Sequence, residues 1–435
     1  MLQSTALLTD RYELTMLDAS LRDGTAHRRC VFELFGRRLS GGRRFGVVAG
    51  QGRLMSLLRD FRFTEDDLRF LRDQRVVSTE TLAYLENYRF SGSIEGYREG
   101  ELYFPESPLL TVEATFADAV ILETLALSVL NYDSAVATAA ARMSIAAGDR
   151  PIAEMGSRRA HEYGAVAAAR AAYIAGFTST SNLEAGRTWG VPTMGTAAHA
   201  WTLLHDSEKD AFRAQIDAHG TDTALLVDTY DIVDGVRTAV ELAGPNLGGV
   251  RIDSGDLPLV AADVRDHLDR LGATGTRITV TSDLDEYAIA ALAASPVDSY
   301  GVGTSVVTGS GYPTAGLVYK LVARQEASGA WVPVAKKAQD KGSTGGRKQA
   351  YRRLEGGTAT EEIVRLAKEA ITPEDTRALV VPFVEAGEFD PSHEGPAGVV
   401  AARSHHARVR QELPVRALAL SKSDPAIPTV FVDAE

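Results

Sequence analysis

One cysteine, Cys30, is all that 435 residues contain. A single thiol excludes an intramolecular disulfide and any metal knuckle built from several cysteines, and leaves Cys30 the role of a small apolar side chain. Positive charge is short too, with 46 Lys and Arg against 58 Asp and Glu and a formal net charge of -12. That balance excludes a generally basic surface, so no nucleic-acid partner is expected and any phosphate must be met by a local pocket. Long apolar runs are missing as well. The two most apolar stretches, Ala119 to Leu130 and Ala135 to Ala147, are cut by Glu123, Asp133 and Arg142, too early for a membrane span. Asp10, Arg11 and Glu13 arrive before an apolar core of signal-peptide length is complete. A cytoplasmic protein without membrane contact is expected. Fixed-period repeats and low-complexity tracts are also wanting.

What is present describes a large core, with 45% hydrophobic and 24% charged residues. Such a length fits one barrel with additions, or two domains of unequal size. Leu14, Leu17 and Leu21 give helical spacing within Thr5 to Arg22, and Val31 to Leu39 reads as a strand. Thr64-Glu65-Asp66-Asp67 is a capping-box pattern ahead of Leu68 and Leu71. Short strands are expected over Ser91 to Val112, then one long buried helix over Asp118 to Ala147. After Lys341, the glycines Gly342, Gly345 and Gly346 punctuate the chain. A helix is expected near Thr360 to Ala370 and a strand over Thr429 to Val432, the tail packing back on the N-terminal strands.

Between Pro151 and Ala323 the texture changes to short apolar runs. They are Ile152 to Met155, Ala175 to Thr178, Val191 to Gly195, Ala224 to Val227, Val250 to Asp253, Ile278 to Thr281, Ser299 to Val302 and Leu317 to Val322. Most gaps have room for a helix. Strands alternating with helices imply a parallel sheet, and about eight such units close a barrel. Polar residues follow the runs, where barrel strands deliver them to one rim.

Arg251-Ile252-Asp253-Ser254-Gly255-Asp256 ends one run with an arginine, two carboxylates and a flexible glycine. Carboxylates there can hold ribose hydroxyls or, through water, Mg²⁺, with Asp253 and Asp256 as the ligands, while the guanidinium holds an anion. A plain polar turn is the competing reading. Ser299-Tyr300-Gly301-Val302-Gly303-Thr304-Ser305 is a strand entering a glycine-bearing turn whose N–H groups can approach a phosphate. Ser282-Asp283-Leu284-Asp285 fits a capping box opening the helix before that run, so the two adjacent strand ends can share one phosphate site, with capping the expected role of Ser282 and Asp285. His199 follows another run, and an isolated histidine is more often structural than catalytic. Asp228 ends the next run, and a carboxylate fixing one imidazole nitrogen leaves the other as nucleophile or proton carrier. Gly156-Ser157-Arg158-Arg159 brings two adjacent cations, and Tyr12 offers a ring for stacking on a planar substrate.

Seven segments in this order resemble the nicotinate phosphoribosyltransferase family. They are Leu7-Leu8-Thr9-Asp10-Arg11-Tyr12-Glu13-Leu14, Glu154-Met155-Gly156-Ser157-Arg158-Arg159, Ser179-Thr180-Ser181-Asn182, Gly195-Thr196-Ala197-Ala198-His199, Val227-Asp228-Thr229-Tyr230-Asp231, Arg251 to Asp256, and Gly301 to Ser305. The resemblance implies an α/β fold of type II phosphoribosyltransferases: an irregular β/α (TIM-like) barrel over residues 118–350, and a smaller α+β domain from residues 1–117 and 351–435. It implies a homodimer with shared active sites, Tyr12 coming from the neighbouring subunit. Nicotinate, 5-phosphoribosyl 1-pyrophosphate and ATP are the implied substrates and Mg²⁺ the implied cofactor, in an ATP-coupled ligase of NAD biosynthesis. Tyr12, Met155, Arg158, Ser181, Asn182, Thr196 and Arg251 would meet nicotinate. Asp253, Gly255, Asp283, Gly301, Gly303, Thr304 and Ser305 would hold the phosphoribosyl group. His199 would be phosphorylated by ATP, with Asp228 orienting it.

Met155 departs from the phenylalanine that many relatives place there to sandwich the pyridine ring, although a thioether still packs on an aromatic face. Ser179 to Asn182 carries no acid to receive an amide, and Ser181 and Asn182 suit a carboxylate. The alternatives are a nicotinamide or quinolinate phosphoribosyltransferase on the same fold, a non-catalytic metabolite-binding barrel, and a metal-dependent barrel lyase or hydrolase resting on Asp228, Asp253 and Asp256.

Overall fold

The computed structural model describes residues 4–336, 344–366 and 373–433. Its contacts divide the chain into two compact units, Met1–Thr138 with Tyr312–Glu435, and Ala139–Gly311, bounds that differ from the expected 117/118 and 350/351.

The first unit is built on a seven-stranded sheet with Trp331–Pro333, Leu317–Gln325, Arg29–Gly36, Leu110–Thr115, Ser93–Tyr97, Val380–Glu385 and Glu388–Phe389 side by side. All its pairs are antiparallel. Arg29–Gly36 is buried from Cys30 onward, so both faces of this central strand are covered. The tail does return to the N-terminal strands, Val380–Glu385 lying against Ser93–Tyr97. Thr64 and Asp67 form the expected capping box on Glu65–Asp73. A second sheet orders Thr376–Ala378, Lys348–Glu355, Thr358–Leu366 and Thr429–Asp433.

Three expectations are corrected here. The run Leu317 to Val322 is no barrel strand, because it pairs antiparallel with Arg29–Gly36. The helix expected near Thr360 to Ala370 is the strand Thr358–Leu366, whose Glu361 and Glu362 face Arg353 and Arg352 across a hairpin; its expected end at Ala370, like Lys341 and Gly342, lies outside the described residues. The long helix is two, Phe116–Val120 and Glu123–Ala147. Together they are long and apolar enough to cross a membrane, yet most of the apolar window is buried, as in a core helix.

Charge is carried into this unit's interior in pairs. Lys348 Nζ donates to both oxygens of Glu33 at 2.8 Å, with both side chains buried. Arg352 bridges Glu101 at 3.1 Å and Glu362, whose other oxygen accepts from Tyr97 at 2.7 Å. Removing one partner of such a pair leaves a buried charge, at about 3–5 kcal/mol.

The second unit is a curled parallel sheet in the order Ser179–Thr180, Ile152–Glu154, Ser299–Val302, Arg277–Val280, Gly249–Ile252 and Ala224–Leu226. A lone bridge from Thr180 to Thr193 extends one edge. Among the described residues this is half a barrel, not the closed ring of eight that the apolar runs suggested. Helices between the strands start on polar caps: Asn182 accepts from Ala185 N, Asp231 from Asp234 N and Asp256 from Leu259 N. Each strand therefore ends in a short polar segment at the carboxyl edge of the sheet, the usual place for ligands in parallel α/β sheets.

Candidate active site

Those segments enclose a cavity of about 550 Å³ within the second unit. Met155 and Arg158 reach it from Ile152–Glu154, Ser181 from Ser179–Thr180, and Thr196 and His199 from the segment entering the helix His199–Leu204. Arg251 and Asp253 come from Gly249–Ile252, Asp283 follows Arg277–Val280, and Gly301, Gly303 and Thr304 come from Ser299–Val302 and its turn. Eleven residues that sequence marked out thus share one wall.

Six others do not line it. Asn182 and Asp256 cap helices, which uses one side-chain oxygen of each. Ser305 follows the lining residue Thr304, Gly255 comes two positions after Asp253, and Asp228 is bonded to the backbone of Asp253. Tyr12 belongs to the first unit, on Arg11–Asp23, 44% exposed. Thr281 and Ser282 line the cavity without having been singled out for it.

Arg251 is the best-fixed cation. One guanidinium nitrogen donates to Thr196 Oγ1 at 2.5 Å. Burial pushes its pKa down, Asp253 and Asp228 oppose that shift, and the Arg158 charge adds to it. Two cations in a partly dry cleft stabilise an anion placed between them.

Asp253 accepts from Thr281 Oγ1 at 2.6 Å, leaving its other oxygen 3.9 Å from His199 Nε2. His199 Nδ1 stands 3.1 Å from Thr229 Oγ1. The expected pairing of Asp228 with the imidazole is not formed. Instead Asp228 Oδ2 accepts from Asp253 N and Ser254 Oγ, each at 2.8 Å, and so fixes the loop that carries Asp253.

Beneath the cavity Glu154 is fully buried, and burial raises its pKa. It accepts from Thr180 Oγ1 and from Gly156 N, tying two neighbouring strand ends together. Gly301 has no room for a side chain: a Cβ would stand 2.6 Å from Thr281 Cγ2 and 2.7 Å from Met155 Sδ. Ser282 holds φ of 111°, a strained value for a residue with a Cβ, at the turn beside Asp283.

A parallel α/β sheet with paired cations, a glycine turn and a histidine at its carboxyl edge is an arrangement suited to an anionic ligand. Comparison with known proteins gives that arrangement its family. Residues 7–131 match the nicotinate phosphoribosyltransferase (NAPRTase) N-terminal domain. Nicotinate phosphoribosyltransferase pncB1 of Mycobacterium tuberculosis is 54% identical over 438 residues, 98% of this chain and 95% of that one. The Bacillus subtilis nicotinate phosphoribosyltransferase is 39% identical over 80% of this chain and 73% of its own. The crystal structure of human nicotinic acid phosphoribosyltransferase superposes with a TM-score of 0.83 at 26% identity, covering 97% of each chain. The chain belongs to the nicotinate phosphoribosyltransferase family.

Proposed function

We propose that the protein joins nicotinate to the ribose 5-phosphate of 5-phosphoribosyl 1-pyrophosphate, forming nicotinate mononucleotide and pyrophosphate, the entry of nicotinate into NAD biosynthesis. The observation that carries this reading is the convergence of Arg158, Arg251 with Thr196, and the Gly301 to Thr304 turn on one cavity. The arginines receive the pyridine carboxylate and the departing pyrophosphate. The turn offers its N–H groups to the 5-phosphate, and Asp253 takes the ribose hydroxyls. Charge develops at the ribose anomeric carbon as pyrophosphate leaves, so the chain's part is to align the ring nitrogen and stabilise both ends.

Asp253 and Asp283 line the cavity, and among the described residues no three His, Cys, Asp or Glu groups converge as a metal cage. Those two carboxylates suit a Mg²⁺ held otherwise by water and phosphate, where it would neutralise the pyrophosphate. Asp256, capping a helix, is the weaker ligand.

ATP coupling through His199 belongs to the same proposal: phosphorylation of the ring, fixed by Thr229 and facing Asp253, would tie ATP hydrolysis to forward synthesis. So do a cytoplasmic location and a homodimer in which a second copy supplies Tyr12 above Met155. Ala139–Gly311 would then be the phosphoribosyltransferase domain, an irregular relative of the β/α barrel, with the first unit, the larger of the two by these bounds, as the α+β domain. Nicotinate, nicotinamide and quinolinate, each given with phosphoribosyl pyrophosphate with and without ATP, test all of this. Pyrophosphate release from nicotinate, increased by ATP, is expected. Equal yield with and without ATP, unchanged in His199→Ala, rejects the coupling, and no turnover of any pyridine leaves a binding protein.

A further inference from the structure

His199 Nδ1 meets the Thr229 hydroxyl at 3.1 Å, and Nε2 lies 3.9 Å from an oxygen of Asp253. Asp253 lines the cavity and Thr229 does not, so Nε2 is the nitrogen turned to the substrate space. Asp228, next in sequence to Thr229, has one oxygen occupied by Asp253 N and Ser254 Oγ and makes no hydrogen bond to the ring. We propose that Thr229 is the positioning residue of His199: its hydroxyl accepts from Nδ1–H, which leaves the lone pair of Nε2 facing the cavity as the phosphoryl acceptor. This rests on the phosphohistidine reading above.

The step balances. Nε2 attacks the γ-phosphorus of ATP, the Nε2–P bond forms, the P–O bond to the β-phosphate breaks, and ADP leaves with that electron pair. The ring carries a positive charge until the Nδ1 proton passes to solvent water. A hydroxyl serves both ring states, accepting from Nδ1–H before the loss and donating to bare Nδ1 after it, whereas an ionised carboxylate only accepts. Control of the reacting nitrogen through the bond made by the other is the usual way a protein sets a histidine tautomer.

Thr229→Val removes the hydroxyl at similar volume, Thr229→Ala removes it with less bulk, and Thr229→Ser keeps it. In protein carrying ¹⁵N-histidine, NMR reads which nitrogen of His199 holds the proton and, in the phosphoenzyme, which one is bonded to phosphorus. Uptake of label from γ-labelled ATP, followed as a function of pH, reads the rate. The wild type and Thr229→Ser should hold the proton on Nδ1 and, where labelled, the phosphate on Nε2. Thr229→Val should lose that preference and take up label about tenfold more slowly, the scale of one side-chain hydrogen bond. Phosphate on Nδ1, or a Thr229→Val protein that matches the wild type in both readouts, overturns the inference. Thr229→Ala gives the same decision if Thr229→Val does not fold. A wild type that takes up no label refutes the phosphohistidine reading instead, while its ring NMR still decides the Thr229 contact.

Discussion

Replacing Arg251 by lysine keeps the charge and removes the planar fork that engages Thr196 at 2.5 Å. Loss of one charge-assisted contact is worth about 1.5–3 kcal/mol, so Arg251→Lys should raise the KM for nicotinate by roughly tenfold to a hundredfold. Steady-state kinetics with nicotinate varied would check it, and an unchanged KM would remove Arg251 from the pyridine site. Glu208 gives a prediction of another kind. Burial, with Asp234, Asp228 and Asp231 nearby, pushes its pKa up to about 7 from 4.5. The folded protein then holds a proton that the unfolded chain has lost, so stability falls as pH rises through that window. Glu208→Gln should raise the Tm above pH 7 and leave it unchanged below 4.5; an equal gain at both ends would show that charge is not the cause. At this scale sequence showed which residues are near the chemistry but not which of two neighbours does a job. Asp228 and Thr229 are adjacent in the segment that follows the strand Ala224–Leu226, and their side chains take different partners. Spacing could not say that the hydroxyl meets His199 while the carboxylate holds the next loop.

Elements at the carboxyl edge of the parallel sheet are packed close enough for glycine to be structural. Gly301→Ala would drive a methyl against Thr281 and Met155, at about 1–3 kcal/mol for overpacking. Met155 should be displaced into the cavity, giving a variant that folds with a lower Tm and loses nicotinate affinity; calorimetry and ligand titration read the two effects. The strained turn at Ser282 predicts the opposite sign. Ser282→Gly should relieve roughly 1 kcal/mol of backbone strain and raise the Tm, whereas Ser282→Ala should not. Seven of the eight apolar runs do lie at or beside strands of one parallel sheet, because β-branched runs between polar caps are a local signal. Assignment of a strand to a sheet is not local: Leu317–Gln325 reads like its predecessors yet pairs antiparallel with Arg29–Gly36. Thr358–Leu366 misled for a related reason. Its glutamates look like a helix face until Arg352 and Arg353, on the adjacent strand, are known to stand opposite.

For the whole molecule the buried ionisable groups of the first unit set the response to acid. Burial holds His406 neutral, lowering its pKa from 6.5 to about 4 while Nδ1 contacts Gly100 O at 2.9 Å. In that window the unfolded chain binds a proton the folded one refuses, so the contribution of His406 to stability should drop by about 3 kcal/mol as pH falls from neutrality towards 4. His406→Gln should flatten the slope of Tm against pH there, and a slope that persists would place the acid sensitivity elsewhere. None of this was legible in sequence, since the partners lie far apart along the chain: Lys348 and Glu33 are separated by 315 residues. That separation is also an interval of time. A ribosome adding roughly 5–20 residues per second takes about 15–60 s to reach Lys348 after making Glu33. Until then the interior strand Arg29–Gly36 of the seven-stranded sheet cannot bury its carboxylate with a partner, while everything needed for Ala139–Gly311 has already been made. The contiguous unit is free to fold first, and the one interrupted by it must wait with its charges in water. A chain stalled shortly before Lys348 should therefore show a protease-resistant core near residues 139–311 and an N-terminal portion that is still cut.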